Sequence, residues 1–261
     1  MLVSGAAPTH SPPVGWRDRK CSPVEVAGGP PGGTARPAVA TPRETVRVMS
    51  LNIAHGRSDG FHQILQGRAR IERNLSAIAA EIEREEPDVV ALQEADGPSM
   101  WSGYFDHVRY LASAARYGNF VRGEHVKGLR LAYGPALVAR LRLAAAESIT
   151  FAPTPPTMSK GFVVSTIGWP GKPELVIDVV SVHLDFARSG VRDRQLDELA
   201  EVLKSRKRPR IVMGDFNCQY NDEGSPLKKL AETLSLKAYQ PDAKAMVTFP
   251  GLGTRIDWIL L

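Results

Sequence analysis

From residue 45 onward, apolar and polar positions alternate in a way that marks out strands and helices. "VRVMSLN" (46–52) and "DVVALQE" (88–94) are apolar runs of strand length. Between them, "ARIERNLSAIAAEIEREE" (69–86) spaces Ile71, Leu75, Ile78 and Ile82 along one helical face, and Pro87 closes the helix. "GPALVAR" (134–140), "GFVVSTI" (161–167) and "ELVIDVVSVHL" (174–184) predict further strands. The last two should form a hairpin through the turn signal "GWPGKP". A helix over "VRDRQLDELAEVLKSRK" (191–207) gathers Leu196, Leu199, Val202 and Leu203 on one side. A strand at 211–214, a short helix near 226–236 and a final strand "RIDWILL" complete the pattern. Strands alternating with helices, plus hairpins, predict an α/β domain of mixed sheets covered by helices.

Residues 1–44 carry no such period. They are dense in Pro, Gly, Ala and Thr and poor in large aliphatics, so they predict a disordered leader that cannot bury enough surface to offset its ordering entropy. "GGPPGGT" has no Lys-Ser/Thr and no strand before it, which argues against a phosphate loop. The leader also lacks the apolar core of a secretory signal, and no run in the chain is long enough to span a bilayer. A cytoplasmic monomer is the expectation. The net charge of +5 leans only weakly towards anionic partners, and two cysteines cannot build a disulfide framework.

The chemistry lies where the strands end. The run 46–52 ends on Asn52, 88–94 on Glu94, 174–184 leads through His183 to Asp185, and 211–214 runs into Asp215 and Asn217. Each alone has an ordinary explanation: a turn Asn, a solvated Glu, a structural His, an Asx-turn for "DFN". Four such ends together are harder to dismiss, because ligands of α/β sheets bind at the carboxyl edge. Carboxylate and amide oxygens without thiols select a hard divalent cation, Mg²⁺ or Mn²⁺. A second carboxylate can deprotonate water, and an imidazole or amide can meet charge on phosphoryl oxygens. The mixture fits hydrolysis of a phosphate ester.

"MSLNIAHG", "DVVALQEAD", "YGPALVAR", "VVSVHLDF" followed by "RDRQ", "IVMGDFN" and "TFPGLGTRIDWIL" together resemble the endonuclease/exonuclease/phosphatase, or DNase I-like, superfamily. The resemblance covers about residues 45–261. It implies a four-layer α-β-β-α sandwich of two mixed β-sheets and Mg²⁺-dependent phosphoester cleavage. By motif position, Asn52 and Glu94 would hold the metal, Glu94 as principal ligand. His183 would assist the leaving oxygen or phosphoryl group, Asp215 would activate water, Asn217 would hold phosphate oxygens, and Asp257 would sit near the metal or catalytic histidine. The implied substrate is a phosphoester: nucleic acid, a lipid headgroup or a small phosphodiester. A rival from another class is a non-catalytic phosphate-binding module on the same scaffold.

The family closes with a Ser-Asp-His segment beyond the "RIDWI" strand, and this chain ends at Leu261 without it. The expectation is therefore a domain truncated at its C-terminus, either a fragment or a version that has lost this segment, weakly active or inactive, whose last strand exposes an apolar edge. His55 and Lys160 are secondary candidates for contact with phosphate. Trp101, Tyr104 and Phe105 could be substrate wall or core, and the basic run "KSRKRPR" (204–210) reads as a solvated helix end pointing away from the site.

Overall fold

The structure is a computed structural model, and it describes residues 21–22, 25–28, 45–58, 66–128 and 130–261. Among these lie twelve strands and four α-helices. In chain order they are β1 (Cys21–Ser22), β2 (Glu25–Gly28), β3 (Val48–Asn52), α1 (Arg68–Glu85), β4 (Val89–Asp96), α2 (His107–Ala114), β5 (Asn119–Arg122) and β6 (Val126–Lys127). There follow β7 (Ala132–Ala139), β8 (Ala144–Thr150), β9 (Gly161–Trp169), β10 (Lys172–His183), α3 (Ser189–Arg206), β11 (Arg210–Asp215), α4 (Pro226–Leu234) and β12 (Asp257–Leu260).

Two mixed sheets result. One has the order β1-β8-β9-β10-β11-β12; the other runs β2-β5-β7-β4-β3, with β6 paired to β7. In each sheet one neighbouring pair is parallel, β10/β11 and β3/β4. Parallel neighbours need a long crossover, and α3 and α1 supply it. Each such pair sends two carboxyl ends to the same edge, which positions the site described below.

The layers follow from side-chain alternation. Along β4, Val89 and Ala91 enter the core between the sheets, while Val90 and Leu92 pack under α1 and α2. Along β10 and β11, Val179, Ile211 and Met213 face between the sheets, and Val180, Val182 and Val212 pack under α3 and α4. Strands covered on both faces need apolar residues at every position, so the runs look continuous in the sequence. A polar link crosses this dry interface: Gln93 Nε2 donates to Ser181 Oγ (3.1 Å), which donates to Leu92 O (2.9 Å). Each bond is worth only about 1 kcal/mol, but the pair locks β4 against β10 just below the strand ends.

Helix α1 buries Ile71, Leu75, Ala79 and Ile82 and stops at a left-handed Glu86. Helix α2, which buries Val108, Leu111 and Ala112, and strands β5, β6 and β8 go beyond the elements that the sequence pattern predicts. For α2 the local signal is Asp106, whose Oδ1 accepts from Arg109 N (2.9 Å) as an N-cap.

Two expectations need correction, at the edge of β12 and in the basic run. β1 and β2 lie within residues 1–44 and pair antiparallel with β8 and β5. A sheet edge offers unpaired backbone groups and recruits chain with little regard to side-chain type. The edge beside β12 is also covered: Leu261 and Lys237 exchange backbone bonds of 2.9 and 2.7 Å, and Tyr239 N reaches Ile259 O (2.9 Å). In the basic run, Lys204, Lys207 and Arg208 are exposed, but the Arg206 side chain is largely withdrawn from solvent. It grips the inaccessible Asp178 through Nε (2.9 Å) and Nη2 (3.1 Å), and Glu147 through Nη1 (2.6 Å). No helix among the described residues is long and apolar enough to cross a membrane.

Candidate active site

The strand-end residues come together where the two sheets meet. Asn52, closing β3, donates from Nδ2 to Asp215 Oδ2 at 2.9 Å, joining one sheet to the other. His183, closing β10, pairs in register with Asp215 of β11, and Asp215 with Asp257 of β12. His183 Nε2 lies 3.8 Å from Glu94 Oε1 and 3.8 Å from Asp215 Oδ2.

Local backbone geometry aims these groups. β4 and β7 lose register between Leu92 and Ala95, and Glu94 takes φ +51° there. Such a bulge turns a side chain out of the regular alternation, so Glu94 reaches the site from an otherwise fully buried strand. Phe216 is completely buried among Leu184, Leu196 and Trp258, anchoring the turn between Asp215 and Asn217. Asn217 has φ +51°, donates its backbone N–H to Asp215 Oδ1 (3.0 Å), and gives one side-chain N–H to Leu184 O (3.1 Å). It thus ties the ends of β10 and β11 together. Asn52 is likewise engaged at both ends, its Oδ1 accepting from Ala54 N at 2.9 Å. Asp185 belongs to the scaffold: Thr157 Oγ1 donates to it at 2.6 Å, and the N–H groups of Ala187 and Arg188 cap it at 2.9 Å each.

Lys160 enters the site more deeply than its sequence context suggested. It precedes Gly161, the register partner of His183, and its buried Nζ lies 3.0 Å from His183 Nε2 and 3.3 Å from Nδ1. His55 is brought in too, between Glu94 and Asp96. The aromatic segment divides: Trp101 and Phe105 pack inward, on His55 and on α2, while Tyr104 is exposed.

The electrostatics are those of crowded acids beside a buried cation. Burial raises Asp215 to about 6, with Glu94 adding to the rise and the bonds from Asn52 and Asn217 opposing it. Burial, then the charge of Asp215, raises Asp257 to about 7. Burial holds His183 well below the usual imidazole value, and the Lys160 ammonium lowers it further. Burial also lowers Lys160, against the attraction of Glu94, Asp215 and Asp185.

No three His, Cys, Asp or Glu side chains among the described residues close around one point as a complete metal cage. The donor set nevertheless fits a hard divalent ion, which keeps several waters and needs only one or two carboxylates from protein. Glu94 faces the site with both oxygens near imidazole nitrogens. Asp257 Oδ1 is buried without a hydrogen-bond partner among the described residues. Raised acids around an unpaired oxygen mark a negative excess that a cation would relieve.

Two mixed sheets with helices outside and a polar cluster across their shared edge define a DNase I-like α/β sandwich. The chain belongs to the endonuclease/exonuclease/phosphatase family, whose model matches residues 49–261. Comparison with curated proteins gives no match. Among solved structures, it is similar to an endonuclease/exonuclease/phosphatase from Beutenbergia cavernae (21% identity, TM-score 0.60), covering 82% of this chain and 63% of that one. The chain therefore spans less than two thirds of that relative. The human Nocturnin catalytic domain with bound sulfate is similar over 82% of this chain and 80% of that one (23% identity, TM-score 0.60). A Staphylococcus aureus beta toxin mutant with bound magnesium ions is similar over 82% and 83% (15% identity, TM-score 0.59). At these identities the likeness establishes the fold.

Proposed function

We propose that this chain hydrolyses a phosphoester with a divalent cation, Mg²⁺ or Mn²⁺. The observation that carries the reading is the meeting of Glu94, Lys160 and Asp215, from three separate segments, each within 3.8 Å of His183 on a fourth. The bound magnesium of a similarly folded beta toxin is in keeping with it. Glu94 is the principal metal ligand, and the cation, when bound, neutralises charge on the phosphoryl oxygens.

Asp215 takes the proton of the attacking water. A value near 6 makes it a competent base at neutral pH, and Asn52 fixes which oxygen faces the reaction. Lys160 provides the fixed positive charge beside the phosphoryl group. His183, kept neutral by burial and by Lys160, acts as a hydrogen-bonding partner. Asp257 lies next to Asp215, so the pair holds a proton near neutrality rather than two full charges. Asn217 holds the turn that presents Asp215.

Hydrolysis of bis-p-nitrophenyl phosphate, with Mg²⁺ and with EDTA, tests the reading. Asp215→Asn and Glu94→Gln should each lower turnover by about 10²-fold or more. Turnover indifferent to EDTA and to both substitutions would refute it, and phosphate binding without turnover would favour the binding module. Parallel assays on plasmid DNA, RNA and phospholipid headgroup esters sort the substrate class.

A further inference from the structure

The His55 ring sits in a frame that the hydrolytic scheme above leaves unused. Residues 54–56 form a single tight turn directly after β3, with Ala54 at φ +46° and His55 at φ +56°. Non-glycine residues adopt that conformation only when their surroundings enforce it. Here Ala54 N is held by Asn52 Oδ1, and Gly56 O accepts from Asn74 Nδ2 at 2.8 Å. The turn is built, and its product is the placement of one imidazole.

That imidazole is oriented on every side. Nδ1 lies 2.7 Å from Oδ1 of Asp96, a residue only 1% exposed. The rings of Tyr133 and Trp101 meet it edge-on, with centroids at 4.9 and 5.8 Å. A carboxylate can only accept a hydrogen bond, so the bond to Asp96 puts a proton on Nδ1. Nε2 lies 3.3 Å from Glu94 Oε2: as an imidazolium the ring pairs with that carboxylate, and as the neutral ring, the form that a cation would bind, it presents a lone pair there. Two lone-pair donors aimed at common space is the arrangement of adjacent ligands on an ion: at a metal–ligand distance of about 2.1 Å, neighbouring octahedral positions lie about 3 Å apart. Metal-binding histidines characteristically give their other N–H to a carboxylate.

We propose that His55 Nε2 is a second protein ligand of the cation held by Glu94, with Asp96 fixing its tautomer. The proposal rests on the hydrolase reading only for the presence of a cation. It also accounts for Asn52, whose oxygen is turned to the backbone of the same loop. An imidazole donor favours transition ions over Mg²⁺, so of the two ions the site prefers Mn²⁺ to Mg²⁺.

The test is pulsed electron paramagnetic resonance of Mn²⁺ bound to the full chain, with binding isotherms for Mn²⁺ and Mg²⁺. The expected result is ¹⁴N coupling in the wild type, lost or reduced by one nitrogen in His55→Gln. Mn²⁺ affinity should fall about 10–100-fold in that variant, and Mg²⁺ affinity less. Asp96→Asn should keep the nitrogen coupling while weakening binding. The wild-type spectrum needs no variant, so a folding defect in His55→Gln cannot hide the answer. Bound Mn²⁺ without ¹⁴N coupling, or coupling unchanged in His55→Gln, overturns the assignment and leaves the hydrolase reading standing. Failure of the wild type to bind either ion overturns both.

Discussion

Gly214→Ala is the most informative single substitution, because it alters the geometry of the site without touching its chemistry. Gly214 pairs in register with Val182, one step before the pairing of Asp215 with His183. Its φ is +151°, and a Cβ built there would lie 2.1 Å from Val182 O and 2.8 Å from Val182 N, both backbone atoms. No rotamer relieves such a clash, so β10 and β11 must separate by about 1 Å to restore an ordinary contact, a strain of about 1–3 kcal/mol. That displacement falls on the 3.8 Å contact between His183 Nε2 and Asp215 Oδ2. A 1 Å misplacement of reacting groups costs about 10²-fold in rate. The expected outcome is a folded protein, with a urea midpoint lowered by the stated strain, whose turnover of bis-p-nitrophenyl phosphate falls by about two orders of magnitude while KM changes little. Near-wild-type turnover in a protein destabilised to that extent would refute the idea that the β10/β11 spacing sets the catalytic geometry.

Other consequences are equally direct. Lys160→Met removes a buried ammonium but keeps its packing, so turnover should drop about 10²-fold while thermal stability holds or rises; a stability loss with unchanged turnover would make Lys160 structural. Arg206→Met leaves the inaccessible Asp178 with Arg208 at 3.9 Å and the charge of Arg210 nearby, and should cost about 3 kcal/mol by urea denaturation, whereas a loss under 1 kcal/mol would show the pair to be dispensable. Acid should destabilise the fold through His125, which burial pushes from 6.5 to about 3. Below pH 6.5 the unfolded chain takes up a proton at this residue that the folded chain refuses, so its contribution to stability falls by about 1.4 kcal/mol per pH unit until about pH 3. His183 acts in the same direction, whereas Asp257 and Asp215, raised to about 7 and 6, act against it because the folded chain holds their protons. The histidine is therefore read as the difference between the wild type and His125→Gln: a urea-midpoint difference that stays constant from pH 6.5 to 5 would contradict this.

The layers, and the edge that carries the candidate site, are legible in the residue pattern alone. Doubly buried strands declare themselves as unbroken apolar runs, α1 by its spacing, and the polar residues that end β3, β4, β10 and β11 by interrupting those runs. Strands with weak alternation, such as β8, and edge pairings, such as those of β1 and β2, leave little local trace because the partner strand decides them. The site was legible as a set of strand ends but not as a geometry. Folding alone brings Asn52 to Asp215, lays Lys160 against His183, and wedges His55 between Asp96 and Glu94. Those contacts join residues from different sheets and loops, and their energies depend on burial that exists only once both sheets have packed. A lysine before a strand and a histidine in a turn carry no signal of their own. They acquire chemical meaning from neighbours tens of residues away, brought close by folding.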